Sequence, residues 1–205
     1  MRLKLRTNTG RNEQISLESY RDADIAADKG DRKSLTGAIV LLNGMPVSWA
    51  AKKQGGVSLS TMEAELAAAS ETARELLGIQ EMLEEVGLAP TQPMSMHVDN
   101  QATIRRIEGE TSSLKAKHFD VRLKFVKDFA RRGVVEMRYV RSELMLADLL
   151  TKALDQHKLA ELRALVGGKS GCHKLEAHEA KCAKFTTRRL PSFSTVLFQL
   201  LDKSV

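Results

Sequence analysis

The spacing of apolar residues changes period along the chain, and each change marks an element. In residues 15–24 Ile15 and Leu17 alternate with polar neighbours, a period of two that predicts a strand, and the run closes on Asp22-Ala23-Asp24. A charged turn, Asp28 through Lys33, leads to an apolar run over 35–42, then Asn43-Gly44, then a second run over 46–52. Asn-Gly between two such runs predicts a hairpin, because both central positions of the favoured turn need positive φ. The chain therefore opens with a three-stranded antiparallel meander. Ser60-Thr61-Met62-Glu63 is a capping box, with Leu66, Ala69, Ala73, Leu76, Met82, Leu83 and Val86 near the 3.6-residue period behind it and Gly87 as a stop. That long helix is expected to lie across the meander, its run Ala67-Ala68-Ala69 allowing close approach to the sheet.

A fourth strand is predicted over 93–98, running into Asp99-Asn100-Gln101, with a brief helix over 102–107 before Gly109. Ser112 and Ser113 can cap a second long helix to about Arg132, with Phe119, Leu123, Val126 and Phe129 at helical spacing. Val135, Met137 and Tyr139 alternate as a fifth strand, and 144–166 reads as one last helix bounded by Gly167-Gly168. The order is βββαβ(α)αβα, an α/β domain. The boundaries expected are a leading segment 1–14, one domain over 15–167, and a basic tail over 168–205, weakly ordered or an appended helix.

Composition narrows the classes. The 205 residues are 42% hydrophobic and 28% charged, enough apolar content for one buried core, with no apolar run of the length a membrane span needs. No membrane partner is expected. In Met1 through Arg6 basic residues alternate with apolar ones where a secretory signal would carry a continuous apolar run, and an intracellular site is expected. The two cysteines, Cys172 and Cys182, both lie in the tail, so the body has no disulfide framework. A formal net charge of +6 permits a nucleic-acid partner without requiring one.

Four acids fall where strand ends and helix starts converge: Asp22, Glu65, Asp99 and Asp148. Such carboxylates repel one another unless a divalent cation lies among them, and hard oxygen donors suit magnesium or manganese. Two such ions can stabilise the attacking and leaving oxygens of phosphodiester cleavage. The competing reading makes Asp22 a turn former and Glu65 a helix-dipole partner.

The residues around these acids carry a resemblance. Tyr20-Arg21-Asp22-Ala23-Asp24-Ile25-Ala26, Pro46-Val47-Ser48-Trp49 with Lys52-Lys53-Gln54, and Leu59 through Leu66 occur in this order, followed by Val98 through Ala102, Lys115 through Arg122, and Ala147-Asp148-Leu149-Leu150-Thr151-Lys152. Together they resemble the ribonuclease H domain of copia-type retrotransposon Pol polyproteins. The resemblance spans about residues 15–166. It implies a ribonuclease H-like fold, a five-stranded mixed sheet in which the meander is joined by two further strands and flanked by helices. It also implies that Asp22, Glu65, Asp99 and Asp148 are the catalytic, metal-binding acids. The activity implied is hydrolysis of the RNA strand of RNA/DNA hybrids with two Mg2+ ions, Mn2+ substituting, leaving 3′-hydroxyl and 5′-phosphate ends. Ile25 and Leu66 stand where the family usually has Trp and Tyr, changes that leave the acids intact.

Such elements encode a reverse transcriptase upstream, so the chain is expected to be a piece or remnant of a longer product with that domain as partner. Cytoplasmic virus-like particles are the location the resemblance implies. The alternative within the same fold is a catalytically inactive, domesticated nucleic-acid-binding module. A receiver-like signalling domain conflicts with three antiparallel strands at the start.

The helix from Ser112 carries Lys115, Lys117, Arg122, Lys124, Lys127, Arg131 and Arg132 against Asp120 and Asp128. Beside a metal site that takes a polyanion, Lys115, Lys117, His118 and Arg122 are expected to meet phosphates, giving salt-dependent binding without sequence readout. Asn100 and Gln101 are placed to contact 2′-hydroxyls. His118 is read as a phosphate contact rather than a proton shuttle, any assistance by Glu143 is left open, and Trp49 is expected in the core. Cys172, His173, His178 and Cys182 match no ordinary zinc spacing.

Overall fold

The computed structural model describes residues 14–109 and 117–167. Strands β1 (Leu17–Asp24), β2 (Leu35–Leu42) and β3 (Met45–Lys53) form the expected meander, and β4 (Met94–Val98) and β5 (Val135–Tyr139) complete one sheet. The strand order is β3-β2-β1-β4-β5. The first three strands pair antiparallel, while β1 with β4 and β4 with β5 are parallel. Asn43 and Gly44 take φ of 50° and 75°, the conformation that the hairpin required.

Helix α1 (Thr61–Glu85) starts at Ser60, whose hydroxyl accepts from the Glu63 amide at 3.2 Å. The reciprocal half of the box is shifted by one residue: Glu63 Oε2 accepts from the Leu59 amide at 2.7 Å. Ala64, Ala67, Ala68, Ala69 and Ala73 are all buried, and Ala64 and Ala68 pack on Ala23 of β1. Small side chains at these positions bring the helix close to the sheet. Helix α2 (Gln101–Glu108) follows β4, and α3 (Lys117–Arg131) buries Leu123 and Val126. Ser112 and Ser113, proposed as caps, lie outside the described residues.

The single last helix expected over 144–166 is instead three pieces. A 3-10 turn (Ser142–Leu144) leads to a one-turn helix α4 (Asp148–Thr151), then to α5 (Gln156–Gly167). The break has a local cause. Lys152 leaves helical geometry at ψ 147°, and Asp155 restarts the helix by accepting from the Lys158 amide at 2.8 Å.

Two layers of core result. Ile39 and Leu41 of β2 pack with Leu146 and Leu162, joined by Tyr20, Leu149 and Leu150, on the sheet face that α4 and α5 cover. Trp49, expected in the core, is 42% exposed. It sits on β3, an edge strand with a neighbour on only one side. No helix of the described residues is long and apolar enough to cross a membrane.

Candidate metal centre

Register sets the first two acids level with each other. The parallel register of β1 with β4 runs to Tyr20 and His97, and Asp22 and Asp99 each stand two residues further along, the latter one step beyond the end of β4. Glu65 projects from the second turn of α1. One carboxylate oxygen from each of Asp22, Glu65 and Asp99 lies within 4.8 Å of the others. Asp22 and Glu65 are buried, and Asp99 is half-buried. Three hard oxygen donors at this spacing fit a divalent cation such as Mg2+ or Mn2+.

Each acid has a polar neighbour that orients it. Thr151 donates its hydroxyl to Asp22 Oδ2 at 2.5 Å. Ser142 donates to Asp99 Oδ2 at 3.1 Å. Arg21, 0% exposed, donates from its Nη1 to both the carbonyl and the carboxylate of Glu65. Alternation along β1 explains this pairing: Asp22 and Arg21 are adjacent in sequence but face opposite sides of the sheet. Arg21 Nε and Nη2 have no hydrogen-bond partner, so the pair is not a free gain in stability.

Asp148, the first residue of α4, stands slightly apart from the three. Its Oδ1 accepts from Lys152 Nζ at 2.7 Å, and the same ammonium lies 3.4 Å from Asp22 Oδ1. The one-turn helix can approach because Gly37, paired with Asp22 across the sheet, has no side chain. A Cβ there would stand 2.6 Å from Thr151 Cγ2 and 3.0 Å from the Ala147 carbonyl oxygen.

The electrostatics follow from crowding. Burial pushes the Glu65 carboxyl up to about 6, against the pull of Arg21, with Asp22 and Asp99 adding to the rise. Burial also raises Asp148, against the hydrogen bond from Lys152. Asp24 is raised by burial and by neighbouring Asp22. For Lys152 burial disfavours the charge, but Asp148, Asp22 and Asp99 outweigh it, and its pKa is raised.

The residues expected to meet nucleic acid are placed unevenly. Gln101 is exposed in the first turn of α2. Asn100 spends its side-chain oxygen on capping that helix, accepting from Ala102 and Thr103 at 3.0 and 3.2 Å. Arg122 is half-buried on α3. Lys115 and the side chains of Lys117 and His118 lie outside the described residues. Lys127, counted in the basic face, is buried instead, its ammonium donating to the Gly109 carbonyl at 2.5 Å. Glu143 is exposed, and its backbone carbonyl accepts from Lys158 Nζ.

Sequence reasoning singled out the four acids and missed Arg21, Ser142, Thr151 and Lys152. For two of these a signal existed, since Thr151 and Lys152 stand three and four residues after Asp148, within reach on one helical turn. Ser142 left none.

A relative from Nicotiana tabacum, the retrovirus-related Pol polyprotein from transposon TNT 1-94, is 33% identical over 151 residues, 74% of this chain. The chain is homologous to plant copia-type retrotransposon Pol polyproteins. The Pol polyprotein from transposon RE1 of Arabidopsis thaliana is likewise 33% identical, over 75% of the chain. The chain spans only 11% and 10% of the length of these two Pol relatives. No protein-family model matches. The fold is ribonuclease H-like, a five-stranded mixed sheet flanked by helices. Among solved structures, LC11-RNase H1 in complex with RNA/DNA hybrid is similar with a TM-score of 0.48 and 14% identity, covering 66% of this chain and 93% of that one.

Proposed function

We propose that this chain is a ribonuclease H-type hydrolase that cuts the RNA strand of RNA/DNA hybrids and depends on a divalent metal. One observation carries the reading: carboxylate oxygens of Asp22, Glu65 and Asp99 converge within 4.8 Å in a ribonuclease H-like fold homologous to Pol. Asp22, Glu65 and Asp99 would hold the metal, with Asp148 beside them. Bound magnesium or manganese supplies activation of water and neutralisation of charge developing on the phosphodiester oxygens.

The remaining work belongs to the chain's own groups. Thr151 and Ser142 fix the carboxylates of Asp22 and Asp99 through single hydrogen bonds. Arg21 holds Glu65 from behind. Fixing donors in advance removes reorganisation from the reaction and keeps the scissile phosphate in line. Gln101, at the start of α2 two residues after Asp99, would meet the hybrid, and Arg122 with the basic part of α3 would neutralise its backbone. The Pol homology makes a reverse transcriptase domain the natural partner.

The test is cleavage of an end-labelled RNA/DNA hybrid by purified protein with magnesium, manganese or chelator, beside Asp99→Asn. Metal-dependent cutting of the RNA strand, lost in the variant, is the expected result. Folded protein that binds the hybrid in a salt-sensitive way without cutting it overturns the enzymatic reading in favour of a binding module.

A further inference from the structure

The four acids do not form one uniform cluster. Asp22, Glu65 and Asp99 offer mutually close oxygens, whereas Asp148 is engaged by a cation that the protein itself supplies. Lys152 Nζ lies 2.7 Å from Asp148 Oδ1 and 3.4 Å from Asp22 Oδ1. The two protein cations of the centre also differ. Arg21 is fully buried behind Glu65, but the Lys152 side chain is 37% exposed. Lys152 follows a helix of only four residues, at a position already extended. Its contacts at Asp22 and Asp148 are made by the ammonium at the end of a flexible stem, so that head can leave without unfolding anything.

We propose that Lys152 is a tethered counter-ion that occupies the space between Asp22 and Asp148 and so restricts the substrate-free centre to one divalent ion. This rests on the metal-dependent reading above. An ammonium between Asp22 and Asp148 repels a second divalent cation strongly at these distances, and that gap cannot hold both, while the first ion keeps the oxygens that Asp22 shares with Glu65 and Asp99. A phosphodiester backbone arriving at the centre offers the ammonium another anionic partner within its reach. Release of Lys152 toward that backbone frees Asp22 and Asp148, which couples completion of the centre to the presence of substrate. Lys152 is a positioning residue here, acting through the two carboxylates.

Calorimetric titration of manganese chloride into the full chain without nucleic acid tests this independently of turnover. Wild type and Lys152→Arg should each bind one ion in the accessible concentration range, and Lys152→Met should bind a second ion at least about tenfold more tightly than any weak second event in wild type. Circular dichroism melting checks that each variant folds, and Lys152→Gln replaces the methionine variant if that one does not. A Lys152→Met or Lys152→Gln isotherm superimposable on wild type overturns the proposal, as does wild type binding two ions with equal affinity. If wild type binds no ion, and Asp99→Asn gives the same flat trace, the metal reading itself has failed and the proposal falls with it.

Discussion

Thr151 and Asp22 are 129 residues apart in sequence, yet the threonine hydroxyl donates to Asp22 Oδ2 at 2.5 Å. Replacing Thr151 with Val keeps the shape and removes the donor, leaving a buried carboxylate oxygen short of a partner. The expected cost is about 1–3 kcal/mol of stability. Loss of the orienting bond should also weaken metal affinity by about tenfold or more. Urea unfolding and a manganese titration read the two effects separately, and unchanged metal affinity would contradict the orienting role.

Gly37 is the gap that admits α4. Gly37→Ala places a methyl 2.6 Å from Thr151 Cγ2 and 3.0 Å from the Ala147 carbonyl oxygen, with Leu150 Cβ at 3.2 Å. Backbone cannot yield as a side-chain tip can, so the helix has to move outward. A loss of about 1–3 kcal/mol is expected, with hybrid cleavage falling further than Thr151→Val alone produces, because Asp148 and Lys152 move as well. Thermal melting and cleavage assays on the two variants side by side make the comparison.

Glu65 gives the metal-free protein a defined pH dependence. Its carboxyl is raised from 4.5 to about 6, so the folded state holds this proton more tightly than the unfolded chain does. The contribution is fully present below pH 4.5 and is lost as pH rises toward 6, a change of about 2 kcal/mol. Measured in chelator, the stability of wild type relative to Glu65→Gln should fall across that window. A difference that stays flat from pH 4.5 to 7 would refute the assignment.

Ser142 is exposed and contacts only the rim of the centre. Ser142→Ala should leave stability within about 0.5 kcal/mol of wild type while slowing hybrid cleavage several-fold through a looser Asp99. Equal rates in the two proteins would show that Asp99 does not need the serine.

The sheet was largely legible from pattern because its signals are local. Asn43-Gly44 specifies its own turn geometry, and alternation in β5 follows from one buried and one outer face. What pattern could not supply was how the last helix divides. The apolar spacing over 144–166 is continuous, but Asp155 caps a new start and Lys152 turns back to carboxylates on another strand. The burial of Arg21 was hidden for a related reason. Alternation places it on the face toward α1, where a guanidinium is tolerable only because Glu65 waits there, a pairing 44 residues away. Trp49 misled because an apolar run does not reveal that its strand lies at an edge.

The order in which the chain is synthesised has a consequence for the centre. Emergence of Tyr139 from the ribosome delivers every strand of the sheet and three of the four acids, but not Asp148, Thr151 or Lys152. Until those residues follow, the nascent polypeptide holds a crowded set of carboxylates without the ammonium that tempers them or the hydroxyl that aligns Asp22. The proposed chemistry therefore waits on α4, and a product ending between Tyr139 and Asp148 would carry every strand of the sheet but none of the three residues that complete the centre.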